Sequence, residues 1–184
     1  MVSSLPKRVC FSRPFILISF LIGICSTVNA QKISKYFTSS MQDNGVLYFI
    51  EPKQEFENDK EDSSLFYDLT YLTSNDTVTF NFTYVDKKVR EIDSITFVLE
   101  DNEITIPVNK IFIESSKNVW KHRYSAKFLF EDLTLIFQQK GRASLLVHYE
   151  GEEVKLKIKQ KKWDKQSKIL SKILYMIKAN RKEN

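Results

Sequence analysis

Two histidines, an abundance of carboxylates and a lysine-rich C-terminus are the side chains through which this 184-residue chain can act on other molecules. His122 lies in VWKHRYSAKFLF, where Trp120, His122, Tyr124, Ala126, Phe128 and Phe130 alternate with Lys121, Arg123, Ser125 and Lys127. Side chains alternate across a strand, so His122 belongs to the dry face and is expected as a core histidine with a hydrogen-bond partner. His148 falls on the opposite face of its strand from Val147 and Tyr149, two residues before Glu150. His-x-Glu on a strand offers two metal ligands on one side, but nothing in the chain points to a third, so a solvated polar face is expected. Neither histidine adjoins a serine that it would activate.

Glu100, Asp101 and Glu103 flank a turn, where acids are favoured for conformational reasons. The stretch from Glu55 to Asp62 lacks the Asp-x-Asp-x-Asp-Gly order of a calcium loop. Other chemistries are excluded by composition. Beyond residue 30 there are three glycines (Gly45, Gly141, Gly151), two prolines (Pro52, Pro107) and no cysteine. No phosphate-binding glycine loop, dinucleotide turn or nucleophile elbow can be written from that set, and no thiolate metal site. No cofactor and no metal are expected.

The C-terminus is the strongest functional handle. In KQKKWDKQSKILSKILYMIKANRKEN, Trp163, Ile169, Leu170, Ile173, Leu174, Met176 and Ile177 fall within an arc of roughly 160° on a helical wheel. Lys161, Lys165, Lys168 and Lys172 gather opposite. An amphipathic helix over 163–180 is expected. Its apolar side suits the protein's own sheet, because burial of six or seven large side chains is worth on the order of ten kcal/mol with no cost of association. A basic helix with a tryptophan also suits a membrane interface. Nucleic acid is not expected as a partner, since the aromatic sits away from the lysines and the chain is exported.

Export follows from the N-terminus. Lys7, Arg8 and Arg13 precede the apolar run Phe15–Ile24 and a V-N-A site ending at Ala30, the three zones of a secretory signal peptide over 1–30. Cys10 and Cys25 both lie inside it, so the mature chain has no disulfides and its core alone must hold it together. The formal charge of +5 falls to +2 without the signal, and that sum is uneven. Residues 155–184 carry +9 and residues 31–154 carry −7.

These elements require a scaffold. Residues 31–44 have no sustained period and read as a loosely ordered lead-in, with a single β-rich domain over 45–184. VTFNFTYV, Ile95/Phe97/Leu99, Ile104/Ile106/Val108 and VKLKIK alternate dry and wet residues, the mark of antiparallel sheet. Tight turns are expected at Asp101-Asn102, at Glu150-Gly151 and within Leu72–Thr77. EDLTLIFQQKG, with two leading acids and Gly141 at its end, reads as a short crossover helix.

The expected architecture is an antiparallel β-sandwich of about eight strands, with that crossover helix and the C-terminal helix packed on it. The expected function is a non-catalytic protein of the cell envelope, periplasm or extracellular space that acts by binding a protein or polymer, with Lys161, Lys165, Lys168 and Lys172 as contacts to an anionic surface. The alternatives are membrane-surface binding through the C-terminal helix, and a carboxylate-based glycoside hydrolase or lectin-like module. Asn75-Asp76-Thr77 and Asn81-Phe82-Thr83 are N-glycosylation sequons, relevant in a eukaryotic host.

Overall fold

The computed structural model describes residues 33–181 apart from Asp59, Lys140 and Arg142. The expected signal segment and both cysteines lie outside the described residues. The chain divides into two compact units, Met1–Lys35 and Tyr36–Asn184. Of the first, only the short stretch 33–35 is described, and all the described strands lie in the second.

The centre of that second unit is three antiparallel strands whose alternation sends aromatics to one side. They are β4 (Ser63–Leu72), β5 (Thr77–Asp86) and β8 (Val119–Leu129). Leu65, Tyr67 and Leu69, Phe80 and Phe82, and Tyr124, Ala126 and Phe128 all point inward and are buried. The β4–β5 connection is the expected tight one, with the Asn75 N–H donating to the Leu72 carbonyl at 2.9 Å. β6 (Ile92–Val98), β7 (Glu103–Ser116), β9 (Ser144–Tyr149) and β10 (Glu152–Lys157) continue the wall. The strand expected around Ile104, Ile106 and Val108 runs on to Ser116 as one long β7, in which an irregularity between Lys110 and Phe112 shifts the register against β8. Its first half pairs with β6 and its second with β8, so it turns the corner between them.

The β6–β7 turn is displaced from expectation. Leu99 N–H donates to the Asn102 carbonyl at 2.8 Å, which centres the turn on Glu100-Asp101 rather than Asp101-Asn102. The β9–β10 turn is as expected, with Gly151 at φ 79°, and Glu150 shares the left-handed conformation at φ 49°. Positive φ at both central residues matches the twist of the strands.

The sandwich is corrected to a barrel. A strand hidden in the acidic stretch, β3 (Phe56–Asn58), pairs with β4 on one side and with β10 on the other. The eight strands thereby close in the order β3-β4-β5-β8-β7-β6-β9-β10 and back to β3. Inside-out alternation is the same in a sandwich and a barrel. Only the closing pair distinguishes them, and here it is the single register Lys157↔Glu57.

Outside the ring, β1 (Phe37–Gln42) pairs with β2 (Gly45–Ile50) over all six residues, so the segment read as a loose lead-in contains a strand. Five of its six side chains are exposed, which removes the alternation that reveals strands. β2 joins the same edge of β4 as β3 does, at Leu69–Leu72. Pro52 would follow in that ladder, and it has no N–H to donate, so the chain leaves the edge until Phe56.

α1 (Phe130–Gln138) is the expected crossover helix, with Glu131 and Asp132 in its first turn. It ends at Gln138, and Gln139 after it is in extended backbone, so Gly141 is not its cap. α2 (Gln160–Arg181) spans 22 residues. Its Trp163, Leu170, Ile173, Leu174 and Ile177 are buried. Trp163 packs between Phe56 of β3 (6.2 Å between ring centroids) and Phe137 of α1 (5.7 Å). Ser171 donates to the Phe137 carbonyl at 2.6 Å. The C-terminal helix therefore closes its own domain. No helix among the described residues is long and apolar enough to cross a membrane.

Candidate functional site

β10 and α2 together present the basic surface. With Val154, Leu156 and Ile158 turned inward, Lys155, Lys157 and Lys159 stand outward and exposed. At the next residue, Gln160, the chain enters α2, whose buried side fixes the rotation of the helix. Lys161, Lys165, Lys168 and Lys172 must then face solvent, and all four are exposed. At 1.5 Å of rise per residue, positions 161 to 172 form a row about 16 Å long.

The cations of α2 divide into two sets. Lys162 pairs with Glu57 of β3 at 3.1 Å, Lys178 with Glu131 of α1 at 3.0 Å, and Arg181 with Asp76 of the β4–β5 turn at 3.1 Å. The Arg181 guanidinium also lies over the rings of Phe130 and Tyr71, at 5.3 and 5.8 Å. These three join the two ends of the helix to three separate elements. Lys161, Lys165, Lys168 and Lys172 make no ion pair among the described residues, and neither do Lys155, Lys157 and Lys159. Lysine ammonium groups on long flexible stems are point charges suited to an extended anionic surface rather than a shaped anion pocket.

The histidines are structural. His122 is fully buried, Nδ1 lies 3.1 Å from the Tyr84 carbonyl, and Nε2 accepts the Arg90 N–H at 2.9 Å. With both roles filled, the neutral ring with its proton on Nδ1 fits, and burial holds the pKa below its usual value. Beside it, Asp86 accepts from the Arg90 Nε at 3.1 Å, the Tyr84 hydroxyl at 3.3 Å and the Lys88 N–H at 3.2 Å. This polar cluster closes the end of the barrel where β5 finishes, and its groups are occupied with one another.

His148 is half-buried on the outer wall, and its Nε2 lies 2.8 Å from the Thr96 hydroxyl. The carboxylate that approaches it is Glu153, across the β9–β10 ladder at 3.8 Å, and not Glu150. Glu150 sits in the turn, where its N–H donates to Asp93 at 3.2 Å. No group of three His, Cys, Asp or Glu side chains able to hold a metal assembles among the described residues. Trp163 is inward as expected, whereas Trp120 is only half-buried.

Two features of the basic surface were not legible in the sequence. A cleft of about 530 Å³ runs beside β10, lined by Lys60, Glu57 and Glu61 as well as Lys155, Lys157 and Lys159. A second, of about 580 Å³, continues past Glu61 to Arg90, Glu152 and Glu153. Both arise because β3, the neighbour of β10, is three residues long. The alternation of VKLKIK marks the strand but says nothing of what lies beside it.

Comparison with protein-family models, with curated proteins and with solved structures finds no match to this chain.

Proposed function

We propose that the protein is an exported, non-catalytic binding protein whose basic face, centred on Lys161, Lys165, Lys168 and Lys172, docks an anionic protein or polymer. The observation that carries this reading is the division of the helix cations. Those at the ends of α2 are matched one to one by acids of the same domain, and the row between them is left unmatched although the rest of the mature chain is acid-rich. Seven unpaired lysines between positions 155 and 172 produce a local positive field in a molecule of small net charge, which favours encounter with an anionic partner.

The membrane alternative draws less support. An interfacial helix inserts its apolar side, and here Trp163, Leu170, Ile173 and Leu174 are already buried in the domain. What α2 still presents to a bilayer is its lysines, at about 1 kcal/mol each near an anionic surface, and the exposed ring of Tyr175.

The test is retention of the mature protein on immobilised poly-L-glutamate, with elution by salt. The expected result is retention at low salt that is largely lost in a variant carrying Lys→Gln at 161, 165, 168 and 172, since exposed charge interactions are screened and scale with the charges present. Equal retention of the parent and that variant would refute the reading. Binding to phosphatidylserine vesicles but not to poly-L-glutamate would favour the membrane alternative instead.

A further inference from the structure

The solvent face of α2 carries a ring among its cations. At 100° per residue, Lys161, Lys165, Lys168, Lys172 and Tyr175 fall within an arc of about 80°. Their steps of four and three residues keep them on one straight stripe about 21 Å long. Trp163 lies on the buried side of the helix, whereas Tyr175 is 74% exposed. Ser171 meets Phe137 and Lys178 meets Glu131, so α1 runs antiparallel to α2 along one flank of the stripe. Tyr175 and the exposed Leu135 of α1 both fall between these two contacts. The basic stripe therefore ends in an aromatic ring beside an aliphatic side chain.

Acids border the stripe on both flanks. Asp164 of α2 and Glu131 of α1 lie toward one side. On the other, Glu51 and Glu55 adjoin Pro52, Lys53 and Gln54, which share a crevice with Lys165 and Ile169. An anionic plane laid over this face would meet those carboxylates as well as the ammonium groups, whereas a single chain follows the stripe between them. The main-chain groups inside a helix are taken up by the helix itself, so the stripe offers a ligand only ammonium donors and a ring. The N–H donors of an extended peptide find no acceptor on it. A uronic-acid chain brings carboxylates and hydroxyls that accept from the lysines, and an apolar C–H face that covers a tyrosine ring. One ammonium per helical turn, about 5.4 Å, also suits a polymer with one acid per sugar.

We propose that the stripe from Lys161 to Tyr175 binds a linear polyuronate, with Tyr175 and Leu135 seating a sugar ring at its end. The proposal rests on the anionic-partner reading above and names the polymer. The test titrates the mature protein with polygalacturonate and with poly-L-glutamate of matched charge number, at one ionic strength, by calorimetry. The parent should bind polygalacturonate more tightly. Tyr175→Ala should weaken that binding about fivefold and leave poly-L-glutamate within about twofold, and Tyr175→Phe, which keeps the ring, should restore the parent affinity. The fourfold Lys→Gln variant should lose both polymers. Tyr175 is exposed, so its replacement leaves the core in place. A shift of the Tyr175 ring resonances on adding polygalacturonate to the unaltered protein gives the same answer without a variant.

Equal loss of both polymers in Tyr175→Ala, or loss of neither, overturns the saccharide assignment. If poly-L-glutamate is still held through the four lysines in that case, the anionic-partner reading stands without it. Tighter binding of poly-L-glutamate than of polygalacturonate by the parent would assign the stripe to an acidic protein segment and overturn the proposal as well. Binding to neither polymer removes the proposal and the reading beneath it together, and phosphatidylserine vesicles bound in their place would give the surface to a membrane.

Discussion

Where β5 begins, the barrel is covered by two helices, and the contacts are rings and aliphatic chains: Trp163 against Phe137 and Phe56, and Tyr71 against Phe130. Where β5 finishes, the barrel is closed by the loop before β6, and the contacts are directional: Asp86 to Arg90, Tyr84 and the Lys88 amide, His122 to the Arg90 amide, and the Tyr124 hydroxyl to the Ile92 amide at 3.1 Å. Both ends leave buried polar atoms over. At the helix end Trp163 Nε1 and Gln166 Oε1 are buried with no hydrogen-bond partner among the described residues, and at the loop end so is Ser63 Oγ, at the start of β4. What sets the loop end apart is that its carboxylate and imidazole are supplied on every side. The first end is held mainly by buried area, and the second adds directional bonds to an ionisable pair.

The largest effect that distinguishes the two ends is expected at Trp163. Trp163→Ala removes a fully buried ring from between β3, α1 and α2 and should cost about 3–5 kcal/mol, or about 10–15 °C in melting temperature. Trp163→Phe keeps most of the area and removes the unpaired N–H, so it should cost less than half as much. If the two substitutions prove equally damaging in thermal unfolding, the helix end is not held by area.

At the loop end the corresponding substitution is Asp86→Ala. It deletes little volume but leaves the Tyr84 hydroxyl and the Arg90 guanidinium without their buried acceptor, and should cost about 2–3 kcal/mol. The signature that separates this from lost packing is sequence-local. Hydrogen exchange should accelerate at Arg90 and Ile92, whose amides donate to His122 and Tyr124, before it does in α2.

Acidification probes the same end more gently. His122 is held neutral by burial, with its hydrogen bond to Tyr84, Asp86 and Glu91 opposing the shift and Arg90 adding to it. The unfolded chain takes up a proton near pH 6.5, and the folded one only at lower pH. Between those values the unfolded state binds more protons, so stability falls as pH falls below about 6.5, by at most about 1.4 kcal/mol per pH unit from this group. Chemical denaturation at several pH values, compared with the same series for His122→Gln, should show a shallower dependence in the variant. An identical slope would place the acid sensitivity elsewhere.

The two ends also differed in what could be read from the chain. Leu170, Ile173, Leu174 and Ile177 announce a buried helix face by spacing alone, and VWKHRYSAKFLF announces that His122 faces inward. The partners of His122 do not appear in any local pattern, because they depend on the β5–β8 register that sets Tyr84 opposite it. Closure was hidden for a related reason. Phe56-Glu57-Asn58 is too short for alternation to show, and it sits among acids that resemble a loop, yet it carries the pair that makes a barrel of what otherwise reads as a sandwich. β1 escaped notice because a strand with almost no buried side has no dry residues to count. Periodicity reports one-sided burial, so it found the area-driven end and missed both the thin seam and the polar end.

The smallest expected effect concerns α2 itself, where the comparison recurs at the scale of one helix. Lys178 and Arg181 reach acids on α1 and on the β4–β5 turn, and Arg181 also covers two rings, so its aliphatic stem and guanidinium contribute packing as well as charge. Lys161, Lys165, Lys168 and Lys172 make no ion pair among the described residues. Arg181→Ala should therefore lower the melting temperature by a few degrees, of which salt recovers only part. The fourfold Lys→Gln variant should move it by no more than about 2 °C in either direction, and any gain should shrink as salt screens the relief of repulsion between neighbouring lysines. Thermal melts of both variants at low and moderate ionic strength make the measurement. A large loss in the fourfold variant would mean that the row stabilises the fold, and its charges would then no longer be spare for a partner. A row that is neutral for stability and necessary for retention on poly-L-glutamate is a surface whose cost in self-repulsion is maintained for something outside the molecule.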